Sequence, residues 1–173
     1  ALLLTASKCG DSNDPYLGFT AGEAEALYSM EPVFAGREHN ELVRLMVTVA
    51  GEDESVSLQN MRITFSSASN PEALSALTAL YTGVVPGVPQ REVLGTVSAP
   101  SPSTLIDCNL KVAAGKHTFV LDFRAKDDAD PAATLKIESV SFTFSNGTSA
   151  RYASKTEDPI IRFGKIVRAA GQD

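Results

Sequence analysis

The sequence has no tryptophan, two cysteines and two histidines among its 173 residues. Each scarcity removes a class of function. Two cysteines cannot build a dense disulfide framework or a four-cysteine zinc site. Without tryptophan, any stacking platform for a sugar must come from Phe or Tyr, and aromatics make up only 7% of the chain. There is no basic run, and the net charge of −6 is acidic. Phosphate neutralisation needs clustered Lys and Arg, so nucleic acid is not an expected partner. No apolar run approaches the roughly 20 residues of a membrane-spanning helix. A P-loop is also missing, because Gly115-Lys116 has neither the earlier glycine nor the following Ser or Thr.

What remains is an ordinary globular composition, with 43% apolar and 21% charged residues. A chain of this length buries about 70% of the surface its unfolded form exposes, enough for one well-made core. The start, Ala1-Leu2-Leu3-Leu4 followed by small residues and Cys9, has the shape of the tail of an export signal. In a bacterial lipoprotein the lipid is carried by such a cysteine, although Lys8 stands where a small residue is usual. Residues 1–29 are therefore read as an N-terminal segment, a remnant of an export signal, with Cys9 as the one route to a membrane anchor. An ordinary N-terminal segment is the plain alternative.

From Leu42 the pattern has period two. Val43, Leu45, Val47 and Val49 alternate with Arg44, Met46 and Thr48, which predicts a half-buried strand. Met61, Ile63 and Phe65 form another, with a change of parity near Gln59-Asn60 that predicts a bulge or a turn. Asn70-Pro71-Glu72 predicts a short helix near residues 70–76. Leu77–Thr82 and Arg91–Val97 read as strands, and Pro100-Ser101-Pro102 as a break. Ile106–Val112 and Phe119–Phe123 read as a hairpin across Ala113-Ala114-Gly115. A bulge is expected near Glu138-Ser139, a tight turn at Asn146-Gly147, and a last extended stretch from Ile160 to Val167. Eight or nine short strands and at most one short helix predict an all-β, two-sheet antiparallel β-sandwich of jelly-roll or immunoglobulin-like type. The alternation implies one solvent-facing side for each sheet. The sandwich is expected over residues 30–165, as a single domain.

Few residues stand out chemically. Asp127-Asp128-Ala129-Asp130 lacks the spacing of a calcium loop and reads as a solvated turn, as does Glu52-Asp53-Glu54. His39 and His117 lie far apart with no second ligand at a metal spacing, and neither is near a nucleophile motif. Cys108 shares parity with Ile106 and Leu110 and reads as a free buried thiol, with a Cys9–Cys108 disulfide as the alternative after export. Asn146-Gly147-Thr148 fits a glycosylation acceptor, but the turn alone explains it. No catalytic, cofactor-binding or metal residue is assigned, and no cofactor is expected.

The order of features resembles the non-catalytic N-terminal domain that precedes the propeller in bacterial BNR-repeat exo-sialidases (neuraminidases). Four segments carry the likeness. They are Pro32-Val33 with Asn40–Leu45, Ile63–Phe65 with Leu77–Gly83, Leu110–Leu121, and Gly164–Asp173 as a junction toward a propeller. The family's Arg-Ile-Pro entry and its tryptophan-bearing Asp boxes do not occur here, and none of its catalytic residues has a counterpart. The resemblance implies an accessory domain of an exported sialidase, periplasmic, at the outer surface or secreted, with residues 166–173 leading to the propeller. That propeller would carry out retaining cleavage of terminal sialic acid through a Tyr nucleophile. The implied partners are the catalytic propeller of the same parent chain and a sialylated glycan. The alternatives are a free-standing carbohydrate-binding module, which predicts an exposed aromatic cluster drawn from Tyr16, Tyr28, Tyr81 and Tyr152, and a structural or adhesion subunit, which predicts an open sheet edge.

Overall fold

The computed structural model describes residues 19–29, 31–35, 37–51, 55–83, 91–163 and 167–168. The fold is all-β, as the alternation predicts. One sheet has six strands: β1 (Phe19–Ala21), β2 (Glu25–Tyr28), β4 (Asn40–Gly51), β6 (Leu74–Gly83), β7 (Glu92–Ser98) and β9 (Gly115–Ala125). Its order is β1-β4-β9-β6-β7, with β2 beside β1 on the same edge of β4. The second sheet has four strands in the order β12-β11-β5-β8: β5 (Ser57–Phe65), β8 (Ser103–Lys111), β11 (Ile137–Phe144) and β12 (Ser149–Ala153). Every pairing in both sheets is antiparallel. Two short pairs complete the described chain. They join β10 (Thr134–Leu135) to β13 (Ile161–Arg162), and β3 (Phe34–Ala35) in parallel to β14 (Val167–Arg168).

The core lies between the two sheets. On β4 the side chains of Val43, Leu45, Val47 and Val49 are buried while Arg44 and Thr48 face solvent. Phe119 of the six-stranded sheet meets Phe142 of the four-stranded sheet at 5.3 Å between ring centroids, a tilted contact that adds to the area both rings bury. Both expected bulges occur, between Leu58 and Asn60 and between Ile137 and Ser139. Gly147, at φ 86°, makes the turn from β11 to β12, and its N–H donates to the Phe144 carbonyl at 3.0 Å.

The two sheets approach each other along both sides, although β7, β8 and β12 remain edge strands. At Gly95 a Cβ would lie 2.6 Å from the Asp107 carbonyl oxygen and 2.8 Å from Ile106 Cγ2, so β7 approaches β8 of the other sheet as only glycine permits. On the opposite side Glu23 bridges Arg151, and the Ala24 N–H donates to the Arg151 carbonyl at 3.0 Å.

Four expectations need correction. Ile106–Val112 and Phe119–Phe123 do not form a hairpin. β8 pairs with β5 in one sheet, while β9 lies between β4 and β6 in the other. β9 is apolar at both parities, which demands neighbours on both sides. The chain crosses between sheets at Val112–Ala114, and Gly115 at φ 139° makes the swing. Second, the six-stranded sheet is not simply wet outside, because Thr78, Leu80, Val120 and Asp122 on its outer face are buried. Third, the helix is a single 3₁₀ turn, Pro71–Ala73, because Leu74 already begins β6. Asn70 does not cap it through its side chain; Asn70 Oδ1 accepts instead from the Thr134 N–H at 3.0 Å. Fourth, the sandwich starts before residue 30, since β1 and β2 add to the edge of β4.

Asn40 ties the start of β4 to its surroundings. Its amide exchanges two hydrogen bonds with the Phe34 backbone, accepting from N–H at 2.8 Å and donating to the carbonyl at 3.1 Å. It also donates to the Phe123 carbonyl at 3.2 Å. An amide side chain thus completes a backbone ladder that the irregular entry to β4 leaves open. It also fixes β3, on which β14 is laid.

Candidate functional site

β9 is the central strand, and its outer face carries the one buried carboxylate found among the described residues, Asp122. Cross-strand register places Glu41 of β4 on one side of it and Thr78 of β6 on the other, with Thr96 of β7 beyond Thr78. The two threonine hydroxyls share a hydrogen bond at 3.0 Å. One step along the strands the row is Arg44, Val120, Leu80, Val93. Val120 and Leu80 are buried there, apart from the main core.

Two side chains converge on Asp122 from loop positions. Arg91, just before β7, places Nη2 at 3.2 Å from Oδ2. His39, just before β4, places Nδ1 at 3.5 Å from the same oxygen. Asp122 is 2% exposed at its side chain, whereas Arg91 and His39 are 51% and 42% exposed, so a guanidinium and an imidazole form an outer rim over a sunken carboxyl group. Oδ1 of Asp122 is buried and has no hydrogen-bond partner. Burial pushes the Asp122 carboxyl above the ordinary carboxylate range, and the attraction of Arg91 and His39 offsets only part of that rise. The nearest carboxylate across the strands, Glu41, is engaged by Arg44 in a two-point fork at 2.9 and 3.2 Å. The group therefore has an acceptor to offer and the Arg91 guanidinium and His39 ring beside it, in a setting of low dielectric.

The residues singled out in the sequence are scattered. His39 joins Asp122, but His117 is on the core face of β9. Its Nε2 lies 2.6 Å from the Ala113 carbonyl, which can only accept, so Nε2 donates and Nδ1 accepts from the Tyr81 hydroxyl at 2.9 Å. His117 pins the crossover between sheets. Tyr81 is half-buried beside it. Tyr152 is buried, with its hydroxyl donating to Asp158, and half-buried Tyr28 lies beside that pair. Burial is the main cause that pushes the Tyr28 phenol up to about 12. None of the Phe or Tyr side chains described between residues 28 and 163 is exposed, so the aromatic platform expected of a carbohydrate-binding module is not found among them; the Tyr16 and Phe19 side chains lie outside the description.

Cys108 is half-buried rather than fully buried, and burial pushes its thiol up to about 12. Cys9 lies outside the described residues, and so do Glu52-Asp53-Glu54. The acidic loop is a turn held by its own backbone: Asp130 Oδ1 accepts from the Ala132 N–H at 2.9 Å. It borders a surface cleft of about 380 Å³ beside the 3₁₀ turn, lined also by Asn70, Glu72 and Lys126. No group of three metal-ligating side chains occurs among the described residues. Asn146 sits exposed in its turn, with Oδ1 accepting from the Thr148 N–H at 3.0 Å.

Sequence reading passed over Asp122 and Arg91. The available signal was an acid inside Phe119-Val120-Leu121-Asp122-Phe123, a run apolar at both parities, where a charge must be buried.

No family model matches the chain, and no curated protein matches it. Among solved structures it is similar to Hadza microbial sialidase Hz136, with a TM-score of 0.61 and 13% identity, over 79% of this chain and 30% of that one. The chain thus spans under a third of that sialidase's length. Salmonella SafD adhesin is also matched, with a TM-score of 0.36 and 14% identity over 86% of this chain and all of that one. The first likeness shows a shared β-sandwich fold.

Proposed function

We propose that this chain is the accessory β-sandwich of an exported bacterial exo-sialidase, a domain that supports a catalytic propeller, holds glycan near it and does not itself hydrolyse sialosides. The observation that carries this reading is the fold likeness to Hz136, which covers most of this chain but only 30% of the sialidase. That is the proportion expected of one domain beside a larger catalytic one. The Gly164–Asp173 segment points the same way, because it resembles a junction toward a propeller. β14 within it is laid against β3, which the Asn40 amide holds to β9.

The buried or half-buried state of the Phe and Tyr side chains described between residues 28 and 163 favours this reading over a free-standing module built on an aromatic platform. The reading is tested by the coding sequence downstream of Asp173. An Arg-Ile-Pro segment followed by Asp boxes is expected; a stop codon directly after Asp173 would overturn it.

A further inference from the structure

We infer that Asp122, Arg91 and His39 form a sugar-hydroxyl site on the outer face of the six-stranded sheet. The inference rests on the glycan-holding part of the function proposed above, and gives it a location and a chemistry. No Phe or Tyr side chain lies on this patch of the outer face among the contacts described, so the site holds a sugar by polar groups. The described chain offers one buried carboxylate oxygen with nothing to accept from, Asp122 Oδ1. A buried acceptor left empty is costly, and ordinary folding removes such groups or pairs them.

Asp122 keeps its place because its other oxygen is anchored. Oδ2 is bound by Arg91 at 3.2 Å and approached by His39 at 3.5 Å, which fixes the carboxylate plane and leaves Oδ1 as the group to be satisfied. The ligand chemistry follows from the donor and acceptor balance. Oδ1 can only accept from a ligand, so it calls for O–H or N–H. Arg91 spends one guanidinium nitrogen on Asp122 and is half exposed, so its remaining N–H groups can donate to a ligand oxygen. A carboxylate beside a guanidinium matches a hydroxyl that donates to the first and accepts from the second. Vicinal hydroxyls on a sugar present that pair of functions repeatedly.

Access runs through the rim. Arg91 and His39 are half-exposed, so their outer edges meet an incoming sugar while Arg91 keeps its hold on Asp122 Oδ2. Leu27 and Val93, exposed at the two ends of the Arg44-Val120-Leu80 row, flank the site with apolar surface on which the C–H face of a sugar ring can rest.

The test is an amide chemical-shift titration of the full 173-residue chain with lactose and, separately, with sialyllactose. The two probes share the hydroxyl chemistry and differ in the acidic terminal sugar. Shifts at Asp122, Thr78, Thr96 and His39 are expected, with affinity falling at least about tenfold in Asp122→Asn and in Arg91→Ala. Leu105→Ala, exposed on the other sheet, should bind as the parent does. Arg91→Ala guards against a folding artefact, because Arg91 lies on the surface. If one or both sugars bind but neither substitution weakens them, the Asp122 site is wrong and the glycan-holding reading survives elsewhere on the domain. If neither sugar produces shifts, the sugar-hydroxyl site is overturned, while the propeller-supporting role keeps its own test in the downstream sequence.

Discussion

Two buried polar side chains on β9, His117 and Asp122, face opposite sides of the same strand and have opposite fates. His117 on the core face has both ring nitrogens satisfied, by a backbone carbonyl and by Tyr81. Asp122 on the outer face has one oxygen held and the other empty. A fully satisfied polar group specifies structure; here it holds the crossover between the sheets. A half-satisfied one costs stability and persists where something else needs it. The difference separates what holds this fold together from what it offers to a partner.

Substitutions can break or sharpen that contrast. The largest effect should come from Asn40→Ala, which removes three hydrogen bonds, two to the half-buried Phe34 backbone and one to the buried Phe123 carbonyl. A loss of about 3 kcal/mol is expected in denaturant unfolding, placing Asn40 with His117 on the structural side. Next, His117→Leu should cost about 2 kcal/mol, because it strands the Ala113 carbonyl and the Tyr81 hydroxyl. A neutral result would show that the crossover does not depend on the ring.

Asp122→Asn should move the other way and raise stability by about 1 kcal/mol at neutral pH, since it removes a buried charge without changing shape. The sign of its pH dependence follows from the raised pKa. The folded state binds the Asp122 proton more tightly than the unfolded state does. Its contribution to stability is therefore fully present below the ordinary carboxylate pKa and is lost as pH rises through the raised folded value. The gain from Asp122→Asn should shrink toward zero in acid, as read from unfolding midpoints across pH; a gain that grew in acid would contradict the burial account. Smallest of all, Glu41→Gln loosens the exposed fork to Arg44 and should change stability by less than about 0.5 kcal/mol. A larger effect would mean that the rim of the site is part of the fold.

Much of this fold was legible as alternation. β4 and β5, and the bulges at Leu58–Asn60 and Ile137–Ser139, follow from parity alone, because a slip by one residue would turn an apolar face to water. Asn146-Gly147 announced its own turn through the positive φ that the second position needs. Parity says which face a residue takes but not which strand lies beside it. Ile106–Val112 and Phe119–Phe123 were therefore read as partners when they belong to different sheets. The site was less legible still. His39 was noticed as a histidine, yet its meeting with Asp122 and Arg91 depends on which strands flank β9, and that is a matter of long-range topology. Only the acid within the apolar run of β9 marked the place in advance.

The claim that the chain assists catalysis without performing it is tested most directly by one assay of fluorogenic sialoside hydrolysis. The 173-residue chain would be measured beside the same chain extended to its natural stop codon. Hydrolysis by the extended chain alone is the predicted result. Hydrolysis by the 173 residues themselves, or by neither form, would contradict the account.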